Sequence, residues 1–178
     1  MYKVKNILNI IISYYKRLDH IKYARSLGVT VGDNCRFVDN PSWGTEPWLI
    51  SIGNHVLISS QVVFVNHDGA TFVFREDGPY KDTYKFGRIK IEDNCFIGLR
   101  SIILPNVTVG TNSILAAGSV VTKSIPPGEV WGGVPARYIM KTEDYAKKCY
   151  DQRLPYDSVK IVSNKKEEML RVLSEVER

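Results

Sequence analysis

An aliphatic residue occupies every sixth position of the stretch that begins at Ile91. Cut into sixes, residues 91–126 read IEDNCF, IGLRSI, ILPNVT, VGTNSI, LAAGSV and VTKSIP. The first residue of each hexad is Ile, Val or Leu, the fifth is small or apolar, and Gly, Ala or Asn often fills the second and fourth. An α-helix, with about 3.6 residues per turn, cannot keep such a repeat on one face. A single strand has a period of two and cannot keep it either.

The same phase recurs upstream, in the hexads IGNHVL, ISSQVV and FVNHDG of residues 52–69 and again at Val31 and Phe37. Short extended segments joined by tight corners fit this pattern, because each hexad can bury its first and fifth side chains. Gly and Asn suit corners with positive φ. Stacked coils pair their backbones at about 4.8 Å, as in a parallel β-solenoid. We therefore predict a mainly β protein with a parallel β-helix over residues 28–140.

The longest interruption of the repeat follows the hexad that contains His67, and a smaller phase shift lies between Trp43 and Ile52. Ile91 follows Phe64 by 27 positions (91 − 64), which is not a multiple of six. The chain is therefore expected to leave the solenoid at His67 and to return near Arg88. The segment between them, DGATFVFREDGPYKDTYKFG, is rich in Gly, charged and aromatic residues, so residues 67–88 are predicted to form a projecting loop. Loops of this length in compact domains are often functional.

Both ends of the chain show helical patterns. Residues 3–22 place apolar side chains at helical spacing, and residues 1–27 are predicted to form a helical cap over the open end of the solenoid. A second interpretation is peripheral docking of this amphipathic helix on an acidic membrane surface. Residues 141–178 are predicted to form C-terminal helices, over 142–152 and 156–177.

Composition restricts the remaining possibilities. The net charge of +5 suits an anionic ligand, but no nucleic-acid recognition motif accompanies it, so no nucleic-acid partner is predicted. The three cysteines include no CxxC pair, which favours a reducing compartment without disulfides or a metal site. Cys35 and Cys95 fall on the inward fifth position and are expected in the core. No apolar run is long enough to span a bilayer and no convincing signal peptide is present, so we predict a cytoplasmic protein.

Three segments of the sequence resemble the hexapeptide-repeat acyltransferases. They are VNHDG, the hexads from IEDNCFIG, and the run GSVVTKSIPPGEVWGGVPARYI of residues 118–139. The sequence is most similar to the branch with galactoside, maltose and virginiamycin acetyltransferases and bacterial capsule or lipopolysaccharide O-acetyltransferases. The resemblance implies a left-handed parallel β-helix, acetyl-coenzyme A as acyl donor, and a homotrimer with its sites between subunits.

The resemblance also makes His67 the general base. An alcohol is a poor nucleophile until its proton is removed, and imidazole titrates close to working pH. No covalent intermediate is needed if acceptor and thioester are held together. His20, in the N-terminal helix, and His55, at an outward corner, are expected to have no catalytic role.

Acidic and amide side chains near His67 are candidates to orient it or to bind the acceptor. The predicted acceptor-binding residues are Glu46, Asn66 and Asp68. Glu76 and Asp77 could approach His67 from the loop. Trp43 and Trp48 could stack on a sugar, although as half-buried coil residues they need no ligand.

The donor site is predicted from the resemblance to use small and basic residues. Small residues let a long, thin cofactor approach the backbone, and basic residues suit its phosphates. The predicted cofactor-binding residues are Gly98, Leu99, Ala116, Ala117, Gly118, Lys123 and Arg137. In the galactoside enzymes a Ser stands where this chain has Leu99, so only a backbone N–H is available there to stabilise an oxyanion.

The sequence thus predicts an acetyl-coenzyme A-dependent O-acetyltransferase that acts on a sugar or glycan precursor and contains no metal. Two other enzyme activities stay open: N-acetylation of an amino-sugar nucleotide and acetylation of a xenobiotic such as an antibiotic. A solenoid that serves as a binding or scaffold protein is the non-enzymatic alternative. The sequence does not identify the acceptor.

Overall fold

A computed structural model describes residues 19–176 and shows a three-faced prism of short strands, which pair in parallel except for the antiparallel last strand of face B. Face A contains β1 (Thr30–Val31), β3 (Ile50–Ile52), β6 (Ile89–Ile91) and β9 (Thr108–Val109). Face B contains β2 (Arg36–Phe37), β4 (Leu57–Ile58), β7 (Phe96–Ile97), β10 (Ile114–Leu115), β12 (Glu129–Gly133) and β13 (Ala136–Lys141). Face C contains β5 (Val63–Phe64), β8 (Ile102–Ile103) and β11 (Val120–Val121). The fold predicted from the hexads is confirmed.

The first residue of every hexad points into the prism. These residues are all buried: Val31, Phe37, Ile52, Ile58, Phe64, Ile91, Ile97, Ile103, Val109, Leu115 and Val121. The register places each inward residue beside the inward residue of the neighbouring strand, since Phe64 pairs with Ile103 and Ile103 with Val121. Each inward side chain therefore contacts its equivalents one coil away, and the core runs along the axis of the prism.

The fourth residue of most hexads turns the corner. It has positive φ at Asn34, His55, Gln61, Asn94, Arg100, Asn106, Asn112 and Gly118. Asn and Gly are the residues that tolerate this backbone conformation best. The Asn94 side chain connects the corners of three coils. Its Oδ1 lies 2.7 Å from His55 Nδ1, and its Nδ2 donates to Asn112 Oδ1 at 2.7 Å. His55 thus has a structural role at an outward corner.

A short helix covers the first coil. Helix α1 (His20–Ser26) contacts β1 and β2 and buries Ala24. Arg25 Nη2 donates to the Val31 and Gly32 carbonyl oxygens at 2.8 and 2.9 Å, which satisfies backbone acceptors at the end of the solenoid. Most of the helix predicted over 3–22 lies outside the described residues, so its membrane docking stays a prediction. Between residues 19 and 176 no helix has the length and apolarity to cross a bilayer.

Residues from Glu143 onward form a second compact unit. Its helices are α2 (Thr142–Asp151), α3 (Ser158–Ser163) and α4 (Lys165–Val176). The single helix predicted over 156–177 is wrong, because Asn164 (φ −145°, ψ 65°) leaves the helical region and ends α3. The Asn164 side chain instead donates to Glu167 in the first turn of α4, a local bond that competes with helix continuation.

Glu168 provides an acid-sensitive contact in this helical unit. Its carboxylate accepts from the Arg171 guanidinium (2.6 Å) and from the Asp157 N–H (2.7 Å). Arg171, followed by the Asp157 N–H, lowers the pKa of Glu168 from 4.5 to about 2. A depressed carboxyl pKa stabilises the fold above the unfolded value, and this contribution is lost as pH falls through the folded value.

Glu168→Gln is therefore expected to lower the thermal stability of the C-terminal helices at neutral pH. It should also flatten the loss of helix stability between pH 4.5 and 2. Helical circular dichroism of the full chain over this pH range is the measurement, with the more exposed Glu175→Gln as the control. An unchanged pH dependence in Glu168→Gln would show that another group titrates.

Candidate active site

His67 lies at the corner between faces C and A, where the solenoid is interrupted. In the next coil the equivalent residue, Asn106, has positive φ and turns the chain onto face A. At His67 the chain instead forms an antiparallel bridge with Phe86. The Asp68 N–H donates to the Lys85 carbonyl oxygen (2.8 Å) and the Gly87 N–H to the Asn66 carbonyl oxygen (2.9 Å). These bonds close the base of the projecting loop and fix the backbone on either side of His67.

A carboxylate orients the His67 ring. His67 Nδ1 lies 2.9 Å from Glu46 Oε2, and the Thr45 hydroxyl donates to Glu46 Oε1 at 2.8 Å. Burial opposes ionisation of Glu46, but the hydrogen bonds from Thr45 and His67 outweigh it and hold the pKa of this carboxyl below its ordinary value. Because an ionised carboxylate can only accept, the neutral ring carries its proton on Nδ1, and Nε2 is then the nitrogen with the lone pair.

Asn66 holds Glu46 in place without touching the ring. The side chain is 1% exposed, and its Nδ2 donates to the carbonyl oxygens of Trp43 (3.0 Å) and Glu46 (2.7 Å). The amide thereby ties the irregular segment that carries Glu46 to the coil that carries His67. A buried amide with this bonding has a positioning role, and its predicted contact with an acceptor stays a prediction.

Asp68 turns away from the imidazole. Its Oδ1 accepts from the Ala70 N–H (3.1 Å), which caps the 3₁₀ helix Gly69–Val73, and its Oδ2 pairs with Lys85 (3.0 Å). The bond from Lys85, followed by that from Ala70, lowers the pKa of Asp68. Glu76 and Asp77 are exposed on the loop and neither bonds to His67. Of the candidate acidic partners, only Glu46 contacts the imidazole.

A surface pocket of about 320 Å³ opens beside the ring. Its lining residues are Val65, His67, Asp68, Gly69, Lys85, Leu104, Pro105 and Thr122. Sequence reasoning missed Thr122 and Lys85. Thr122 could have been found from the hexads, since Val65, Leu104 and Thr122 each follow the inward residue of stacked strands on face C. No spacing in the sequence predicts that Lys85 lies at this pocket.

The two tryptophans near the site differ in accessibility. Trp43 is buried and stacks on Phe64, with ring centroids 5.0 Å apart and planes 8° from parallel. It belongs to the core, and its predicted sugar-stacking role is wrong. Trp48 is 65% exposed and stays available to a ligand.

The small residues predicted to contact a cofactor lie at another corner, between faces B and C. Gly98 is required there by packing, because a Cβ would lie 2.5 Å from the backbone nitrogen of Ala117. Gly118 takes a positive φ with open space around it. The N–H groups of Leu99 and Ala117 donate to no acceptor within residues 19–176, and both residues are exposed. This corner can accept a thin ligand along its backbone.

The predicted donor residues are thus not all brought together within one chain. The group around Gly98 lies at the corner where the chain leaves face B, whereas His67 lies at the corner where the chain leaves face C. Lys123 is exposed at the corner that carries His67, in register with Asn66. Arg137 is exposed on β13, where its Nη1 donates to the Ala136 carbonyl oxygen at 3.0 Å.

Two of the three cysteines, Cys35 and Cys95, belong to the wall of the prism. Burial raises the pKa of Cys95, whose Sγ donates to the Gly110 carbonyl oxygen at 3.2 Å. Cys35 is half-buried against the core. Within the described part of the chain, no three His, Cys, Asp or Glu side chains cluster with the spacing of a metal site.

The sequence comparisons agree with this architecture. A family model of the hexapeptide repeat of succinyl-transferase matches residues 88–123. Protein CapG of Staphylococcus aureus is 48% identical over 144 residues, which cover 77% of this chain and 83% of CapG. The galactoside O-acetyltransferase of Escherichia coli K12 is 38% identical over 111 residues, or 59% of this chain and 50% of that protein. The chain belongs to the hexapeptide-repeat acetyltransferase family.

Solved structures share the fold. The hexapeptide-repeat-containing acetyltransferase VCA0836 of Vibrio cholerae superposes with a TM-score of 0.55 at 24% identity, over 71% of this chain and 81% of that one. The serine acetyltransferase of Neisseria gonorrhoeae gives a TM-score of 0.51 at 25% identity, over 71% and 44% of the two chains. The chain spans about half the length of the galactoside O-acetyltransferases that it matches.

Proposed function

We propose that the protein transfers an acetyl group from acetyl-coenzyme A to a hydroxyl group of a sugar or glycan precursor. One observation carries the proposal: an imidazole held through Nδ1 by a carboxylate lines a pocket where the chain leaves the hexad repeat for the projecting loop. The name of one relative, galactoside O-acetyltransferase, agrees with this chemistry.

His67 acts as the base in this scheme. Nε2 takes the proton of the acceptor hydroxyl in the pocket, and the oxygen forms the new ester bond as the bond from carbon to sulfur breaks. Acetyl-coenzyme A supplies the acetyl group as a thioester. The imidazolium then returns its proton to the departing thiolate, so no other proton donor is needed. Glu46 favours the productive tautomer and stabilises the transient positive charge.

The donor is proposed to bind at the corner between faces B and C. The free N–H groups of Leu99 and Ala117 suit the amide carbonyls of the pantetheine arm, and that of Leu99 is the candidate oxyanion donor in place of the missing Ser hydroxyl. Lys123 and Arg137 are proposed to meet the phosphates.

The two corners bound opposite edges of face C, which supports a site that combines His67 of one copy with the donor corner of another. We propose a homotrimer that buries this face. The outward side chains of its strands, Val63, Ile102 and Val120, are apolar and half-buried already in the single chain. A ring of three copies would place the Leu99 corner of one beside His67 of the next.

The test is acceptor-dependent thiol release from acetyl-coenzyme A over a panel of neutral, amino and acidic sugars. We expect release with a hydroxyl acceptor and a product whose acetyl group is removed by mild alkali, as an ester is. An alkali-stable product would indicate an amide and therefore N-acetylation. Binding of coenzyme A without turnover of any acceptor would contradict the enzyme proposal.

The proposed reaction requires a supply of acetyl-coenzyme A, and we propose the cytoplasm as its location. Peripheral membrane association through residues 3–22 stays a prediction. Sedimentation of the full chain with vesicles containing phosphatidylserine, compared with neutral vesicles, would test it directly.

A further inference from the structure

A stripe of aromatic and basic side chains runs from the projecting loop onto face A. From Phe86 to Lys90, where the chain enters β6, side chains alternate between exposed and buried positions. Gly87 and Ile89 are buried, whereas Tyr84, Phe86, Arg88 and Lys90 are exposed. Because alternate residues of an extended chain share one side, Phe86, Arg88 and Lys90 point outward together. Tyr84 extends this row because its ring stacks on Phe86, so the stripe is roughly 20 Å long.

The loop end of the stripe is pre-ordered and leads to His67. The Arg75 guanidinium lies 4.7 Å from the centroid of the Tyr84 ring. Tyr84 stacks on Phe86, with centroids 6.2 Å apart and planes 13° from parallel. Phe86 in turn lies edge-on to the His67 ring at 6.2 Å. The rings therefore present a continuous surface that ends at the proposed base.

The other end of the stripe borders a groove of about 400 Å³ on face A. Trp48 and Arg88 line its edge, close in sequence to Glu46 and Gly87, which help to build the His67 site. The outward hydroxyl groups of Thr30, Ser51 and Thr108 line its floor together with Lys90. The groove thus combines an exposed indole with a row of hydroxyls.

The charges available to a ligand here are two guanidinium groups. Arg75 and Arg88 form no ion pair with any residue in the described range 19–176. Lys90 is paired with Glu92 at 2.9 Å, so it contributes less net charge. Free guanidinium groups bind carboxylate or phosphate oxygens in a bidentate manner, and aromatic faces pack on the apolar faces of ligand rings.

We propose that Arg75, Tyr84, Phe86, Arg88 and Trp48 form a track that binds an anionic saccharide chain and presents one of its sugars to His67. The inference rests on the proposed function, because it takes the ligand to be the acceptor. Single-stranded nucleic acid also uses stacking and cations. The saccharide is favoured because the track passes the proposed base and ends in a hydroxyl-lined groove.

Direct binding tests the track without any acyl donor. The probes are tetragalacturonic acid, neutral maltotetraose and an oligothymidylate, titrated into the full chain by calorimetry. Tetragalacturonic acid is expected to bind at least about 10-fold more tightly than maltotetraose. Trp48→Ala and Arg88→Gln should each weaken binding of the acid by about 10-fold, or about 1.4 kcal/mol. Arg36→Gln, which removes an exposed arginine of face B, should leave it unchanged.

Equal affinity for the neutral chain, an equal loss in Arg36→Gln, or no binding of the acid would each overturn the proposal. Preferential binding of the oligothymidylate would replace it with a nucleic-acid site. Since Trp48 and Arg88 are exposed, both variants should retain the wild-type circular dichroism spectrum, and either one alone is sufficient for the test.

A second measurement separates this inference from the proposed function. In a His67→Asn background the acidic chain should still bind, although transfer is lost. Binding without transfer in the wild type would refute only the proposed function. The enzyme could instead transfer acetyl to a monosaccharide, with a KM for the acidic tetrasaccharide that is no lower and with no effect of Arg88→Gln. That result would refute only the track.

Discussion

Replacement of His67 by Asn is expected to lower kcat for acetyl transfer by about 10²–10⁴-fold. Asn can keep a polar contact with Glu46, so the local structure should be retained, but an amide cannot accept a proton at neutral pH. Thiol release at saturating acetyl-coenzyme A measures the effect, and a thermal melt shows whether the fold is intact. A loss confined to KM would show that His67 binds the acceptor without acting as the base.

His55→Asn is the matched control. His55 is also bonded through Nδ1 to a side chain, Asn94, but at the corner between faces A and B. Its replacement should leave kcat unchanged. Glu46→Gln should give an intermediate loss, since the amide oxygen can still accept from Nδ1 while the charge that stabilises the imidazolium is removed. Equal losses in the His55 and His67 variants would contradict the assignment of the base.

The hexad repeat made most of the solenoid predictable, because in a β-helix sequence position and spatial position are coupled. Once Ile91 is placed inside, residues six positions apart must be inside as well, and fourth positions such as Asn94 and Asn106 must turn the corners. The same coupling predicted that the chain departs at His67, where the repeat is lost.

The partner of His67 could not be predicted, because it lies where the repeat is disturbed. Trp43 and Ile52 both point inward, yet they are nine positions apart (52 − 43), so three extra residues bulge between them. The shape of this bulge is fixed by the long-range bonds from the Asn66 amide. No local spacing reveals these bonds, and Glu46 therefore stayed one of several candidates.

The sequence also did not predict which of the two tryptophans is exposed. Trp43 continues the inward phase of Val31 and Phe37 and is buried, whereas Trp48 lies on the bulge and faces solvent. Both residues belong to one short run of sequence, and only their places relative to the coil separate them. The alternating burial that carries Phe86 and Arg88 outward likewise depends on where the loop rejoins face A.

Complementation between two inactive variants is the second large effect that we expect. It follows from the proposed position of the donor corner. His67→Asn removes the base, and Ala117→Trp places a bulky ring on the exposed corner where the donor is proposed to lie. Each homo-oligomer is expected to be inactive. Co-expression with separable tags should restore activity in mixed assemblies, because some sites then combine an intact His67 with an intact corner from its neighbour. In random trimers about a quarter of the sites meet this condition.

Pairing His67→Asn with Glu46→Ala is the control, since both residues belong to the same corner of one chain. No neighbour can then supply what each chain lacks, and activity should not return above that of the Glu46→Ala chains themselves. If a single chain carried the whole site, the Ala117→Trp mixture would be no more active than the two variants measured separately. Restored activity in that mixture alone therefore requires that base and donor meet across a contact between copies, as the separation of the two corners across face C implies.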